Sequence, residues 1–115
     1  MSKRAYYRFS GRRQQVTGAT IKAWAKLARA ALAYRAGDAA SREALSHAYE
    51  PVRHAPLIGQ DSATNPCQCL REAANVMLHR AVFFQRPDDL TYYAQRVAEA
   101  CAAASSLNDT MKEAG

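Results

Sequence analysis

The chain has 115 residues, 49% of them apolar, and a formal charge of +6; that is one domain with enough apolar surface for its own core and too much for intrinsic disorder. No run approaches the roughly 18 uncharged apolar residues of a membrane span, so a membrane partner is not expected. The charge is segregated: residues 1–37 hold nine bases and no acid, whereas 38–115 hold seven bases and ten acids and total −3.

Ser2 to Ser10 reads as an extended arm. Ala5, Tyr7 and Phe9 alternate with Arg4, Tyr6 and Arg8, the period-2 pattern of a half-buried strand. Gly11 and Gly18 bracket a polar linker of Arg12, Arg13, Gln14 and Gln15. The division drawn here is a basic arm and linker over 1–19 and a helical domain over 20–115.

The first helix is expected from Thr20, as N-cap, to Ala36, with Gly37 ending it. Ile21, Trp24, Ala28, Ala31 and Leu32 fall on one apolar face, and Lys22, Lys26 and Arg29 on the other. Asp38 caps a second helix whose inner stripe is Leu45, Ala48 and Tyr49, and Pro51 stops it. So short a join makes an antiparallel hairpin. In the irregular stretch 51–65, Leu57 and Ile58 are the residues that tack the loop to the core.

Asn65-Pro66 opens a third helix that should run to Gln85. It is apolar nearly all round, including Phe83 and Phe84, with a narrow polar strip of Gln68, Glu72, Asn75 and His79, so it should be buried on several sides. A fourth helix starts at Pro87-Asp88-Asp89, where two carboxylates suit the helix dipole. Its inner stripe is expected at Tyr93, Val97, Ala100, Ala104, Leu107 and Met111, with fraying past Asn108. The fold class is therefore all-α: a four-helix, mostly antiparallel bundle with a short extended basic N-terminal arm. The surplus of apolar surface on helices three and four points to a homodimer.

Met1 to Arg13 lacks the apolar segment of a secretory leader. An acid-free, Arg-rich start is also how a mitochondrial presequence looks, but the helix from Thr20 has the apolar face of a core element. Cys67, Cys69 and Cys101 make an odd number, which fits reduced thiols and a cytoplasmic location. The excess of arginine over lysine and the many alanines follow from GC-rich coding, as in bacteria or phages. Codon bias does not explain where the acids are missing.

Aromatics interleaved with arginines, Arg4 to Arg13, are what single-stranded nucleic acid needs: rings to stack on bases and guanidinium groups to track phosphates. The bland alternative packs Tyr7 and Phe9 on the bundle and leaves the arginines solvated. The row Lys22, Lys26, Arg29 extends over about 10 Å of helix and suits a phosphate backbone. A basic and apolar strand over Lys3 to Phe9 ahead of two helices resembles the ribbon–helix–helix DNA-binding family, which implies an arm in the major groove. The linker Gly11 to Thr20 and the first helix are both longer than that family uses.

The remaining motifs are weaker. Cys67-Gln-Cys69 lacks the spacing of a zinc pair; near a helix start the dipole would lower its thiol pKa values. Asn75 stands where a di-iron Glu-x-x-His pattern needs histidine, and Glu72 and His79 are too far apart for an acid–base pair. No phosphate loop or nucleophile–base set is present. The expected function is thus a non-enzymatic binder, without cofactor or metal, of nucleic acid or a nucleoprotein complex. Its candidate binding residues are Arg4, Tyr6, Arg8, Arg12, Arg13, Lys22, Lys26 and Arg29. The alternative is a small protein-interaction module or inhibitor, of the phage or mobile-element type, docking on an acidic surface of a host protein.

Overall fold

The computed structural model describes residues 9–79 and 87–114. The element order is β1 (Arg13–Gln14), α1 (Gly18–Ala33), α2 (Ala39–Tyr49), a 3₁₀ turn (Glu50–Val52), β2 (Gly59–Gln60), α3 (Pro66–His79) and α4 (Pro87–Ala114). The four helices pack against each other, and the most extensive contact is between α1 and α4. Among the described residues no helix is long and apolar enough to cross a membrane.

Helix α1 begins two residues before the expected Thr20. Its N-cap is Thr17, whose side chain accepts from the Thr20 amide at 3.2 Å. The helix also ends earlier, at Ala33, with Tyr34 as C-cap. Gly37 instead serves the turn into α2, where φ is +83°, a backbone conformation that only glycine adopts freely. Ile21, Trp24, Ala28 and Ala31 are buried as expected, but the third large side chain inside is Leu27, and Leu32 is 42% exposed. Leu27 lies within the arc centred on Trp24, and Leu32 falls at its edge.

Asp38 caps α2 by accepting from the Ser41 amide at 2.9 Å, and Leu45, Ala48 and Tyr49 are buried. These hydrogen bonds hold the Asp38 carboxyl below its ordinary pKa. Pro51 does not simply stop the helix; it stands inside the 3₁₀ turn that follows Tyr49. Leu57 and Ile58 are buried against the core.

The segment expected as a polar linker is the one that pairs. Arg13 is registered with Gln60 and Gln14 with Gly59 in a two-residue antiparallel ladder. Asp61 extends the tie: its amide donates to the Arg12 carbonyl at 2.7 Å, its carbonyl accepts from Gly11, and its Oδ2 accepts from the amide and hydroxyl of Ser10. Phe9 is half-buried and packs on the core. The strand expected over Ser2 to Ser10 lies almost wholly outside the described residues.

Asn65 caps α3 as expected. Its Oδ1 accepts from the Cys67 amide at 2.7 Å, and its Nδ2 donates to the carbonyls of Ile58 and Gln60. The buried side chains of α3 are Cys67, Leu70, Ala74, Met77 and Leu78. That is one face rather than several, because Ala73, Asn75 and Val76 are half-buried and Glu72 and His79 exposed. The expected continuation through Phe83 and Phe84 lies outside the described residues. Arg42 of α2 donates to the carbonyls of Met77 and Leu78 in α3.

Helix α4 turns Leu90, Ala94, Val97 and Cys101 inward. Of the expected stripe Val97 is buried, and Tyr93, Ala100 and Ala104 flank it, half-buried; the side chains of Leu107 and Met111 lie outside the described residues. The helical backbone of α4 extends past Asn108 to Ala114.

Candidate functional site

Lys22, Lys26 and Arg29 are all exposed on α1. At 3.6 residues per turn they share an arc of about 60°, opposite the arc of Trp24, Leu27, Ala28 and Ala31. Arg12 and Arg13 are exposed as well. Arg13 belongs to β1 and α1 starts at Gly18, so a short connection joins the two sets. Arg4, Tyr6 and Arg8 lie outside the described residues.

The ion pairs found among the described residues are His47–Glu43 at 3.6 Å and Arg53–Glu50 at 3.4 Å. No carboxylate of a described residue is within ion-pairing distance of Arg12, Arg13, Lys22, Lys26 or Arg29. The first turn of α1 carries no acid either, so the positive end of its dipole adds to the side-chain charge. Thr17 satisfies the amides of Thr20 and Ile21. The amides of Gly18 and Ala19 have no partner among the described residues and remain open to an anion.

The cysteine chemistry differs from the sequence expectation. All three thiols are free. The helix-dipole argument for a lowered thiol pKa fails because Cys67 is fully buried. Burial pushes Cys67 up to about 12 and Cys101 up to about 11. The half-buried Cys69 is also raised, by burial first and then by Glu72. Cys67 and Cys101 act as small core hydrophobes. No group of three or more His, Cys, Asp or Glu side chains among the described residues is placed to hold a metal ion.

The polar strip of α3 is partly internal. Gln68 Nε2 donates to Glu72 Oε2 at 2.7 Å, and Gln68 Oε1 accepts from Arg71 at 2.6 Å. With Tyr49, Arg53 and His54, the residues Gln68, Arg71, Glu72 and Asn75 line a groove. The strip on α3 is readable from periodicity, but the groove is not, since its other walls come from separate elements. No protein-family model, curated protein or solved structure matches this chain.

Proposed function

We propose that this protein is a non-enzymatic binder of nucleic acid, or of a nucleoprotein complex, in a cytoplasm. Contact runs through the basic N-terminal arm and the outer stripe of α1, mounted on a mostly antiparallel bundle. The observation that carries the reading is the set Arg12, Arg13, Lys22, Lys26 and Arg29, exposed and without a carboxylate partner among the described residues. Those cations, with the acid-free N-terminal end of α1, suit a row of phosphates. Arg4, Tyr6 and Arg8 extend the same surface in sequence, and Tyr6 supplies a ring for base stacking.

The test is a binding titration of labelled single-stranded RNA and duplex DNA over a range of salt. Affinity should fall steeply with salt, and a variant with Arg8, Arg12 and Arg13 all changed to alanine should bind more weakly with a flatter salt slope. Unchanged binding by that variant removes the arm from the site.

A second reading is docking on an acidic protein surface, as a small phage-type inhibitor would. Leu32 favours it, because an apolar side chain 42% exposed one turn beyond Arg29 suits a protein contact better than a phosphate row. Recovery of one stoichiometric protein partner, with no nucleic-acid shift, would decide for it. Self-association through α4 belongs to the proposal too, since Tyr92 is 52% exposed there; light scattering across concentrations tests it.

A further inference from the structure

Part of the basic surface is carried by a segment that belongs to no helix. Ser10, Gly11, Arg12 and Arg13 are all exposed, so their own burial does little to hold them in place. The chain has a fixed course there because a buried residue grips it.

Asp61 is 7% exposed and lies between β2 and α3. Its loop is itself anchored: Leu57 and Ile58 are buried, and Asn65 Nδ2 donates to the carbonyls of Ile58 and Gln60. From this base Asp61 makes four bonds to the incoming chain. Its Oδ2 accepts from the Ser10 amide at 3.0 Å and the Ser10 hydroxyl at 3.1 Å, and its backbone bonds to Gly11 and Arg12. Ser10 Oγ also accepts from the Arg12 amide at 3.2 Å, so the carboxylate orients a hydroxyl that in turn orients Arg12. Downstream, Val16 packs on the core and Thr17 caps α1. The segment bearing Arg12 and Arg13 is clamped at both ends, and its place relative to Lys22, Lys26 and Arg29 is set.

Two features mark the clamp as serving the surface rather than the core. Asp61 Oδ1 is buried without a hydrogen-bond partner among the described residues, a cost to the fold, and the four residues secured are exposed ones that add little to the core. Asp61 also takes part in neither ion pair found among the described residues, so it pairs with no cation of the patch.

We propose that Asp61 is a positioning residue for binding: it pre-organises Arg12 and Arg13 for the phosphates that the α1 stripe meets. This rests on the nucleic-acid reading above. A segment already ordered spares the complex the conformational entropy of fixing it. The consequence is opposite in sign to that of simple charge. Removing an acid makes a binder of polyanions more positive, which alone strengthens binding. Loosening the segment weakens it.

The experiment titrates labelled single-stranded RNA and duplex DNA with the full chain and its variants over a range of salt, with thermal melting to show that each variant is folded. Asp61→Ala should weaken binding about tenfold, the effect of one or two residues having to be ordered on contact. It should also lower the salt slope by up to about two as Arg12 and Arg13 lose their place. Asp61→Asn loses the same charge but keeps an acceptor for Ser10, and should bind at least as tightly as the parent. Ser10→Ala alters no charge and should weaken binding about threefold. The proposal is overturned by Asp61→Ala binding as well as the parent or better, or by Asp61→Asn falling to the level of Asp61→Ala. If Asp61→Ala does not fold, Ser10→Ala carries the test, and parent-like binding by it overturns the proposal. The variant with Lys22, Lys26 and Arg29 changed to alanine tests the reading beneath. Weaker binding by that variant beside a parent-like Asp61→Ala removes the positioning role alone, whereas a parent that binds neither nucleic acid removes both.

Discussion

The guanidinium of Arg71 lies 5.5 Å from the centroid of the Trp24 ring, joining α3 to α1 at the centre of the molecule. The same guanidinium donates to the carbonyls of Val52 and Ala55, both at 2.9 Å, and Trp24 Nε1 donates to the carbonyl of Pro56 at 2.9 Å. Two side chains thus bolt the loop after α2 to two helices. Arg71→Ala should destabilise the fold by about 2–4 kcal/mol, the sum expected for lost charge-assisted bonds and ring stacking. Arg71→Lys should recover less than half of that, since an ammonium cannot reproduce the fork. Urea denaturation of the three proteins measures both.

Asp61 is the fastening point for the chain ahead of α1. It is 7% exposed, its Oδ2 takes two bonds from Ser10, and its Oδ1 is buried without a hydrogen-bond partner among the described residues. Asp61→Ala removes both bonds to Ser10, leaving only the backbone bonds to Gly11 and Arg12, and should make the backbone near Arg12 and Arg13 the first site cut in limited proteolysis. Asp61→Asn keeps an acceptor for Ser10 and should resist cleavage as the parent does.

On the basic stripe, changing Lys22, Lys26 and Arg29 to alanine should move stability by no more than about 0.5 kcal/mol, as for other exposed positions. If the proposed function is right, it should lower the salt slope of nucleic-acid binding by up to about three counterions. Thermal melting reads the first effect and the binding titration the second. A change in slope with an unchanged melting temperature separates contact from folding.

The thiols give an alkaline prediction. Cys67 and Cys101 are held neutral in the fold, with pKa values of about 12 and about 11 against an ordinary 9.0. A raised folded-state pKa means that the unfolded chain loses its protons first. Their contribution to stability is therefore complete below pH 9 and is lost as pH rises from there towards 11 and beyond. Unfolding midpoints measured from pH 7 to 10.5 should fall at the alkaline end, and less so in Cys67→Ala. At pH 8 in the native state a thiol reagent should modify Cys69 first, because it is the half-buried one.

Periodicity and capping residues made most of the helices legible. Asp38, Asn65-Pro66 and the stripe Leu45, Ala48, Tyr49 are local signals, and each keeps its meaning in the fold. Two threonines competed for the start of α1, and Thr17 prevailed because Gly18 and Ala19 are compatible with a first turn. In α4 the many alanines blurred the inner face: a stripe through Tyr93 and Ala100 and one through Leu90, Ala94 and Cys101 differ by less than a residue's rotation. The pairing of Arg13–Gln14 with Gly59–Gln60 has no apolar alternation to announce it. Contacts such as Trp24 with Arg71, or Tyr49 with the groove, join residues far apart in the chain, and no local pattern encodes them. The exposure of Lys22, Lys26 and Arg29 was readable because it is the complement of the apolar face.

Arg42 reaches from α2 to the carbonyls of Met77 and Leu78 in α3, and this joins the fates of the two helices. That stretch of α3 cannot unwind without surrendering a grip that belongs to its neighbour, and α2 cannot lift away without stripping it. Amide hydrogens around Met77 and Leu78 and in the first half of α2 should therefore exchange with solvent as one cooperative unit, and loosening either should quicken both together.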